Sequence, residues 1–416
     1  MLVVHGHSRY RLTLLAKKLD PFYNLKAQFE VNNGGPNPTV LHITTVHPRD
    51  DSRIRAKQLR SIVATGRYDA VMLVQDGLED ELDAVGKFPI HNTGPKLRRI
   101  SRMTLGGLRM LRETLRARPD IVHFHDPELM PWAMLISLFG PHVIYDVHED
   151  YRRAVQHNNR LPAIVRAVIG PIVAFVEWTS QRLFSGIVAV DETIAAHFSA
   201  HKTIIVRNFA IVSEFHEPGK LPAYERAREF AYIGTITANR NIMGMLEAFA
   251  LAQDVGAIFR LAGEFTVEAD RQAAHAHKYW PHVRFDGWVD RAAIANILGS
   301  VRAGLLLIKP IPHEMDGLPI KLFEYMAAGV PIIASNFPLW RSIIEETGAG
   351  IIVNPENPTE IAEAIRWILA NPEEAAEMGQ RGREAVLDRY NWDREASKLL
   401  ALYDRVLYRD MHIQSP

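Results

Sequence analysis

The chain has 416 residues, of which 47% are hydrophobic and 23% charged, a composition typical of two or three folded domains and one that excludes a mainly disordered protein. Its 48 basic residues balance its 48 acidic residues, which argues against a nucleic-acid-binding protein with its large basic excess. Cysteine is absent, which excludes disulfides and thiolate zinc sites. We find no signal-peptide pattern and no uninterrupted apolar stretch of about 20 residues, so we expect a soluble, cytoplasmic protein.

The first half of the chain alternates apolar runs with amphipathic segments, after an N-terminal extension of residues 1–37. The predicted strands are Val40–Val46, Ala70–Gln75, Ile121–His125, His142–Val147 and Ile187–Val190. The predicted helices are one that ends near Thr65, Leu97–Ala117, Pro127–Phe139 and Ala163–Phe184. Apolar strands that are each followed by a helix indicate a parallel sheet covered on both faces. We therefore predict a doubly wound, Rossmann-like domain over residues 38–212.

The alternation stops at a linker, residues 213–222, and resumes in a second domain over residues 223–388. The predicted strands of this domain are Phe230–Ile233, Ile258–Ala262, Val283–Phe285, Leu305–Ile308, Ile332–Ala334 and Ile351–Val353. Residues 389–416 contain a long amphipathic helix, Trp392–Tyr408, and a tail. The expected architecture is α/β, with two doubly wound domains that face each other across a cleft, where the loops after the parallel strands bind ligands.

Several common motifs are absent from the sequence. No G-x-G-x-x-G follows a predicted strand, so we expect no dinucleotide cofactor. The pairs His123/His125 and His275/His277 have a spacing found among metal ligands. However, residues two apart on a strand merely share a face, so we predict no metal site.

The segment from Leu305 to Ser335 contains the strongest local signal for a binding site. A strand leads into a loop with Asp316, and a helix begins near Ile320 and carries Glu324. The N–H groups at the start of this helix can bind phosphate, while the two carboxylates accept hydrogen bonds from ligand hydroxyls. Alternatively, Asp316 caps the helix and Glu324 is an ordinary exposed acid.

This D-x7-E pattern, followed by YMAAGVPIIAS, resembles the E-x7-E signature of retaining glycosyltransferases of family 4. The resemblance continues in order through most of the chain. In the second half its blocks are YIGTITANRNIMGMLEAF (232–249), LAGEF (261–265) and GWVDR (287–291). In the first half TVHPRDDSRIRAK (45–57), DIVHFHDPEL (120–129) and YDVHEDY (145–151) resemble a bacterial subgroup that builds surface polysaccharides.

The resemblance implies a GT-B fold, with a C-terminal helix that crosses back to the first domain, and sugar transfer from a nucleotide diphosphate sugar with retention of configuration. It implies that the donor is a UDP-sugar and that the acceptor is a glycan or a lipid-linked saccharide. It assigns Glu324 to the ribose hydroxyls and Asp316 to the hydroxyls of the donor sugar. Arg240 takes the place of a lysine on the diphosphate, and His125 that of the catalytic-face histidine. The remaining donor-side candidates are Gly234, Thr235, Gly263, Gly317, Leu318 and Lys321, and the acceptor-side candidates are His47, Asp51, Arg53, Asp126, His148 and Glu149.

The chain departs from the family pattern at several of these positions. Asp316 is one methylene shorter than the usual Glu, Thr235 stands where a basic residue is usual, and Pro319 has no N–H to donate. Lys321 is a candidate for the missing positive charge. The segment HPRDDSR replaces a Gly-rich loop, which bears mainly on the nature of the acceptor.

The chemistry implied by the resemblance needs positive charge on the leaving diphosphate, and Arg240, Lys321 and helix N–H groups can supply it. No D-x-D-like acidic cluster lies on a predicted loop, so we expect no metal cofactor. His125 then orients the donor, or alternatively is a structural histidine bonded to a backbone carbonyl. Two other functions stay open: a GT-B nucleotide-sugar epimerase, and a degenerate homologue that binds nucleotide sugar as an assembly subunit.

The segment from Lys96 to Arg118 is strongly basic. It contains eight basic residues and one acid, and Arg98, Arg102, Arg109, Arg112 and Arg116 recur at three- and four-residue spacing beside apolar residues. This pattern predicts peripheral contact with an anionic membrane at its inner, cytoplasmic face. The alternative is an ordinary solvated basic face.

Overall fold

The computed structural model describes residues 37–150, 163–215 and 226–408. These residues divide into two compact units, one that includes the chain up to Arg207 and from Glu395 onward, and one formed by Asn208–Arg394. The predicted N-terminal extension and most of the predicted linker lie outside the described residues. The boundary falls earlier than the predicted domain end at residue 212, because Phe209 and Ala210 pack in the core of the second unit.

The first unit is built on a sheet that is parallel except at one edge. Its strands are β1 (Thr39–Thr44), β2 (Asp69–Val74), β3 (Glu81–Leu82), β4 (Pro89–Asn92), β5 (Ile121–Phe124), β6 (His142–Val147), β7 (Gly186–Ala189) and β8 (Thr203–Ile205). Their order is β3-β4-β2-β1-β5-β6-β7-β8, with β3 antiparallel to β4. The sequence analysis missed β3, β4 and β8, which are only two to four residues long.

Helices cover this sheet. A π-helical segment (Ser52–Leu59) continues into α1 (Arg60–Ala64). Further along the chain, α2 (Arg99–Ser101) continues through a second π-helical segment (Arg102–Gly106) into α3 (Gly107–Ala117). The remaining helices are α4 (Met130–Ile136), α5 (Ala163–Leu183) and α6 (Glu192–Ala195). Single 3₁₀ turns, Pro127–Leu129 and Ser137–Phe139, flank α4.

The predicted single helix Leu97–Ala117 is thus interrupted. A Cβ at Gly107 would lie 1.9 Å from Trp132 Nε1, and the same indole nitrogen donates to the Met103 carbonyl at 2.7 Å. The wider turn lets the indole approach the backbone and bond a carbonyl there, which is a common cause of π-helical turns.

The second unit contains a parallel sheet in the order β11-β10-β9-β12-β13-β14. Its strands are β9 (Glu229–Ile233), β10 (Ile258–Ala262), β11 (Arg284–Gly287), β12 (Ala303–Leu306), β13 (Ile332–Ser335) and β14 (Gly350–Val353). Its helices are α7 (Ile242–Leu251), α8 (Glu268–His275), α9 (Arg291–Ser300), α10 (Pro312–Met315), α11 (Ile320–Ala327), α12 (Pro338–Thr347), α13 (Pro358–Ala370) and α14 (Pro372–Asp388), with 3₁₀ turns at Val212–Glu214, Gln253–Val255 and Trp280–His282.

Both faces of this second sheet are buried. Along β9, Phe230 and Tyr232 pack in one hydrophobic cluster, while Ala231 and Ile233 pack in another on the opposite face. Alternate residues of a strand point to opposite faces, so an uninterrupted apolar strand indicates a sheet with helices on both sides. The prediction of two doubly wound α/β domains is confirmed.

The last described helix, α15 (Trp392–Tyr408), has the predicted bounds. It begins in the second unit, where the Trp392 N–H donates to the Ala210 carbonyl at 3.0 Å, and continues into the first from Glu395. In the first unit its Tyr403 is fully buried. Among the described helices, none is both long and apolar enough to cross a membrane.

Candidate functional site

In the second unit, glycines follow two neighbouring strands that lead to the candidate donor site. Gly234 follows β9 with φ of 128°, and Gly263 follows β10 with φ of 140°, backbone conformations that other residues rarely adopt. A Cβ at Gly263 would lie 1.9 Å from the Gly234 carbonyl oxygen. The two loops therefore approach each other at main-chain distance. Thr235 is exposed, and its carbonyl accepts a hydrogen bond from the Tyr232 hydroxyl at 2.7 Å.

Two basic side chains lie beside this glycine pair. A Cβ at Gly234 would lie 2.4 Å from Lys321 Nζ, which also donates to the Tyr232 hydroxyl at 3.2 Å. Burial and the nearby positive charge of Arg240 lower the pKa of Lys321 to about 8. Arg240 in turn pairs with Glu314 at 2.9 Å. Lys321 thus places a positive charge against bare backbone, which suits an anion, while Glu314 offsets the charge of Arg240.

Glu324 lies in α11 and is almost completely buried. Its carboxylate accepts a hydrogen bond from Arg291 Nη1 at 2.6 Å, and Arg291 Nε also donates to Glu214 at 3.0 Å. The alternative interpretation of Glu324 as an ordinary exposed acid is therefore wrong. Sequence analysis did not select Arg291, although it ends the quoted block GWVDR.

Asp316, Gly317 and Leu318 form the loop before α11. Asp316 is exposed and ends α10, whereas the cap of α11 is Pro319, which makes no side-chain capping bond. The alternative in which Asp316 caps α11 is therefore wrong. Trp340 Nε1 donates to the Gly317 carbonyl at 2.7 Å, which holds the loop in place, and Leu318 packs against the core.

In the first unit, polar residues occupy one face of the sheet. His42 of β1, His123 and His125 at the end of β5, and Asp146 of β6 are each fully buried. They alternate with Ile43, Phe124 and other apolar residues of the opposite face, as the strand period of two requires.

His125, which the resemblance places at the position of the catalytic-face histidine, is completely buried. Its side chain has no exposed surface, and its Nε2 lies 2.9 Å from His42 Nδ1, while its Nδ1 lies 3.1 Å from His148 Nε2. Burial lowers the pKa of His125 to about 4, so the ring is neutral at pH 7. The alternative of a side-chain bond to a backbone carbonyl is also wrong, because both nitrogens face other imidazoles.

Two of the acceptor-side candidates are buried and stabilise the surrounding structure. The Asp126 carboxylate accepts hydrogen bonds from the Thr44 and Thr45 hydroxyls and from the Val46 N–H, at 3.0 to 3.2 Å, and thereby fixes the loop after β1. Arg53 makes a two-point contact with Asp146, at 2.8 and 3.1 Å.

The other acceptor-side candidates are more accessible. The Asp51 carboxylate caps the π-helical segment and contacts His47 Nδ1 at 3.3 Å. Burial alone would raise the pKa of Asp51, but the hydrogen bonds from His47 and the Ile54 N–H lower it to about 2. The rings of His47 and His148 are 4.6 Å apart, both side chains are partly exposed, and Glu149 is exposed.

The two histidine pairs considered as metal ligands have different surroundings. Potential ligand atoms of His123, His125 and Asp146 all lie within 4.8 Å of one another. His275 instead stacks on Trp280 at 4.2 Å, and His277 pairs with Glu247 at 3.1 Å. Asp146, which sequence analysis did not select, lies in the quoted block YDVHEDY.

Comparison with known proteins identifies the family. The sequence model of "Glycosyl transferases group 1" matches residues 214–385, and that of "Glycosyltransferase Family 4" matches residues 70–205. The chain is a member of the family 4 glycosyltransferases. Its fold is GT-B, and the resemblance drawn from the D-x7-E segment is confirmed at the level of family and fold.

A sequence relative and two solved structures support this assignment. The chain is 30% identical over 148 residues to the GDP-mannose-dependent alpha-(1-6)-phosphatidylinositol monomannoside mannosyltransferase of Mycobacterium tuberculosis. This match covers 35% of the chain and only 38% of that relative. Sucrose-phosphate synthase from Thermosynechococcus elongatus aligns with a TM-score of 0.67 at 16% identity, over 91% of this chain and 100% of that chain. HepE from Anabaena, in complex with UDP and glucose, aligns with a TM-score of 0.66 at 11% identity, over 88% and 99%.

Proposed function

We propose that this protein transfers a sugar from a nucleotide diphosphate sugar to a hydroxyl of a glycan or lipid-linked acceptor in bacterial polysaccharide synthesis, with retention of anomeric configuration. The observation that carries the proposal lies in the second unit. Lys321 Nζ lies beside Gly234, and Arg240 is near enough to lower the pKa of Lys321. Glu324 lies in the same helix as Lys321. We assign these basic groups as the cationic site for the diphosphate.

The diphosphate binds this cationic site in the proposed mechanism. Cleavage of the bond between sugar C1 and the diphosphate leaves negative charge on the phosphate oxygens, and preorganised positive groups stabilise it. Lys321 and Arg240 supply two such groups. Because a basic pair can do the electrostatic work of a divalent cation, we propose that the reaction is metal-independent.

Glu324 is proposed to accept hydrogen bonds from the ribose hydroxyls. In the structure Arg291 Nη1 donates to this carboxylate at 2.6 Å and fixes its orientation. Asp316 is proposed to bind hydroxyls of the donor sugar, with main-chain N–H groups of Gly317 and Leu318 nearby. The leaving phosphate then takes the proton of the attacking acceptor hydroxyl.

Among donors, we propose a UDP-sugar first, in line with the UDP found in the structure of the HepE neighbour. GDP-mannose is the second candidate, because the mycobacterial relative is named for it. A thermal-shift screen with UDP, GDP and ADP sugars separates them, since a ligand at 100 times its Kd stabilises by about 2.7 kcal/mol.

The same donors then test the reaction. Release of free nucleotide that depends on an acceptor, with a product of the donor's own anomeric configuration, is the expected result. Conversion of the donor sugar to its epimer without acceptor would identify an epimerase. Donor binding without any turnover across the acceptor panel would identify the assembly-subunit alternative.

We also propose peripheral contact with an anionic membrane through the segment from α2 to α3. Ile100, Leu105 and Leu108 are exposed there, and Arg98, Arg99 and Arg112 are exposed near them. Fewer arginines are available on this basic face than the spacing of the arginines in the sequence predicts. Arg102 pairs with Glu128, Arg116 pairs with Glu113, and the Arg109 side chain lies against Gly94.

A further inference from the structure

We propose that His148 is the histidine of the first unit that contacts substrate, and that Tyr403 and His42 are positioning residues that set the tautomer of His148 through His125. The role in transfer rests on the proposed function, whereas the tautomer is a property of the protein alone.

Four aromatic side chains form one continuous hydrogen-bonded chain. The Tyr403 hydroxyl lies 3.1 Å from His42 Nε2, His42 Nδ1 lies 2.9 Å from His125 Nε2, and His125 Nδ1 lies 3.1 Å from His148 Nε2. A branch joins the Tyr403 hydroxyl to His123 Nδ1 at 2.6 Å. The chain runs from the fully buried Tyr403 to His148, whose side chain is 14% exposed.

The donor and acceptor roles in this series of hydrogen bonds depend on one another. Burial lowers the pKa of His42, His123 and His125, so each ring carries one proton at pH 7. A neutral imidazole has one donor and one acceptor nitrogen, so the direction of any one bond fixes that of the next. Along the three bonds from Tyr403 to His148 only two arrangements satisfy every bond, and they are opposite in direction. In the arrangement in which His42 donates to Tyr403, the hydroxyl proton of Tyr403 is available for His123 Nδ1.

Asp146 selects one of these two arrangements. Its Oδ2 lies 3.4 Å from His125 Nδ1, 3.4 Å from His148 Nε2 and 3.8 Å from His123 Nε2. When His148 Nε2 donates to His125, the N–H groups of both His148 and His123 face this carboxylate. In the reverse arrangement only the N–H of His125 faces it. Since Arg53 keeps Asp146 ionised, the first arrangement is favoured electrostatically.

This arrangement also accounts for His123 Nε2, a buried nitrogen that has no hydrogen-bond partner among the residues that the structure describes. It carries a proton that faces the charge of Asp146 at a distance too long for a hydrogen bond. At the other end, His148 has its proton on Nε2 and its lone pair on Nδ1. His148 can therefore accept a hydrogen bond from a sugar hydroxyl, which the fully enclosed His125 cannot do.

A metal ion is the competing occupant of this cluster, but the donors around Asp146 disfavour it. Asp146 Oδ2 already accepts hydrogen bonds from Gln58 Nε2 at 2.6 Å and Arg53 Nε at 3.1 Å. A cation bound to this oxygen would compete with both donors and would face the charge of the guanidinium.

Nitrogen-15 NMR of the histidine rings tests the tautomer without any donor or acceptor. We expect His148 and His42 to be protonated on Nε2 in the wild-type protein at pH 7. The Tyr403→Phe substitution removes the hydroxyl between His42 and His123, so we expect His42, His125 and His148 to populate both tautomers. Tyr68→Phe is the matched control. The Tyr68 hydroxyl bonds Asp404 of α15, and the phenyl ring of the variant keeps the edge-to-face contact that the Tyr68 ring makes with Tyr403, at 5.9 Å between ring centroids.

Steady-state kinetics test the role of His148. Gln places an N–H near the position of Nε2 but lacks the Nδ1 acceptor, whereas Asn places an oxygen near Nδ1. We therefore expect His148→Gln to lower kcat on the order of 10- to 100-fold, the effect of one hydrogen bond lost in the transition state, and His148→Asn to retain more activity. Tyr403→Phe should lower kcat with KM within about twofold of wild type, and Tyr68→Phe should change neither.

Several results would overturn the proposal. The tautomer assignment is wrong if wild-type His148 is protonated on Nδ1, or if Tyr403→Phe and Tyr68→Phe give the same ring spectra. It is also wrong if one equivalent of Zn²⁺ shifts the ring signals of His123 and His125. The substrate half fails when His148→Gln keeps wild-type kcat. Absence of transfer with every donor, together with the expected spectra, would count against the proposed function and leave the tautomer assignment intact.

Discussion

Mild acid should destabilise the first unit, because its buried histidines are neutral when folded. The ordinary histidine pKa is 6.5, and burial lowers that of His125 to about 4 and those of His42 and His123 well below 6.5. As the pH falls through 6.5, the unfolded chain takes up protons that the folded unit excludes. Folding stability is therefore lost on acidification, and the loss continues until the pH reaches the folded pKa.

The size of the effect follows from the same pKa values. For a histidine with a pKa of 6.5 unfolded and about 4 folded, linkage gives a loss of about 2 kcal/mol between pH 7.5 and 5. Burial lowers the pKa values of His42 and His123 in the same direction, so these two histidines add to the loss, against a typical total stability of about 5–15 kcal/mol. The aspartate carboxylates contribute little in this interval, since the pKa values of Asp51 and Asp146 are lowered and these groups protonate only at lower pH. His47 opposes the trend: burial alone would lower its pKa, but the hydrogen bond to Asp51 raises it.

Native-state hydrogen exchange measures this effect locally. Peptides that span β1 and β5 should lose at least about 2 kcal/mol of opening free energy between pH 7.5 and 5, after correction for intrinsic exchange rates. Peptides from β9 and β10, which contain no histidine, provide the internal reference. Equal opening free energies of β1 and β5 at the two pH values would refute the reasoning. His123→Gln should reduce the pH dependence, because it removes one buried histidine whose pKa is lowered, and the wild-type comparison stands by itself where this variant does not fold.

Three further predictions concern ligands. Glu324→Gln should weaken donor binding by about 1.5–3 kcal/mol, the contribution of hydrogen bonds to a charged group, and unchanged affinity in calorimetry would exclude the ribose assignment. Arg240→Ala should lower kcat/KM by ~10²-fold or more, and near-normal transfer would mean that the diphosphate binds elsewhere. Excess EDTA should leave transfer unchanged, whereas activity that requires added Mg²⁺ or Mn²⁺ would contradict the metal-free mechanism. A fourth prediction concerns the membrane. Wild-type protein should sediment with anionic but not with neutral vesicles, and it should dissociate from them in ~0.5 M salt. The triple substitution of Arg98, Arg99 and Arg112 by Glu should abolish this binding without changing the thermal shift caused by the donor. Equal sedimentation of the triple variant would remove the membrane from the proposed function.

Elements with continuous local patterns could be predicted closely from the sequence. The strand His142–Val147, the strand Ile258–Ala262 and the helix Trp392–Tyr408 have the bounds that their apolar periodicity indicates. Glu81–Leu82 could not be found in this way, because a two-residue strand at a sheet edge is determined by its partner rather than by its own residues. The π-helical interruption near Gly107 depends on Trp132, which is distant in sequence.

The candidate site was predictable only where its residues are close in sequence or belong to family blocks. Gly234, Arg240 and Lys321 were selected in this way, and the structure brings them together. The partners of His125 could not be predicted, because the contact with His42 depends on β1 and β5 being neighbours in the sheet. Arg291 and Asp146 were missed for a similar reason: their importance lies in the charges that they face, Glu324 and Arg53, which local sequence does not reveal.

The course of α15 has a consequence for synthesis of the chain. The first unit is discontinuous in sequence, since it takes residues up to Arg207 and then the helix from Glu395 onward. During translation the complete second unit emerges before the residues that complete the first. Until Tyr403 has emerged, His42 and His123 lack the hydroxyl that they share. We therefore expect the second unit to complete its folding before the first unit. We also expect nascent chains that end before Trp392 to have an incompletely folded first unit that binds chaperones.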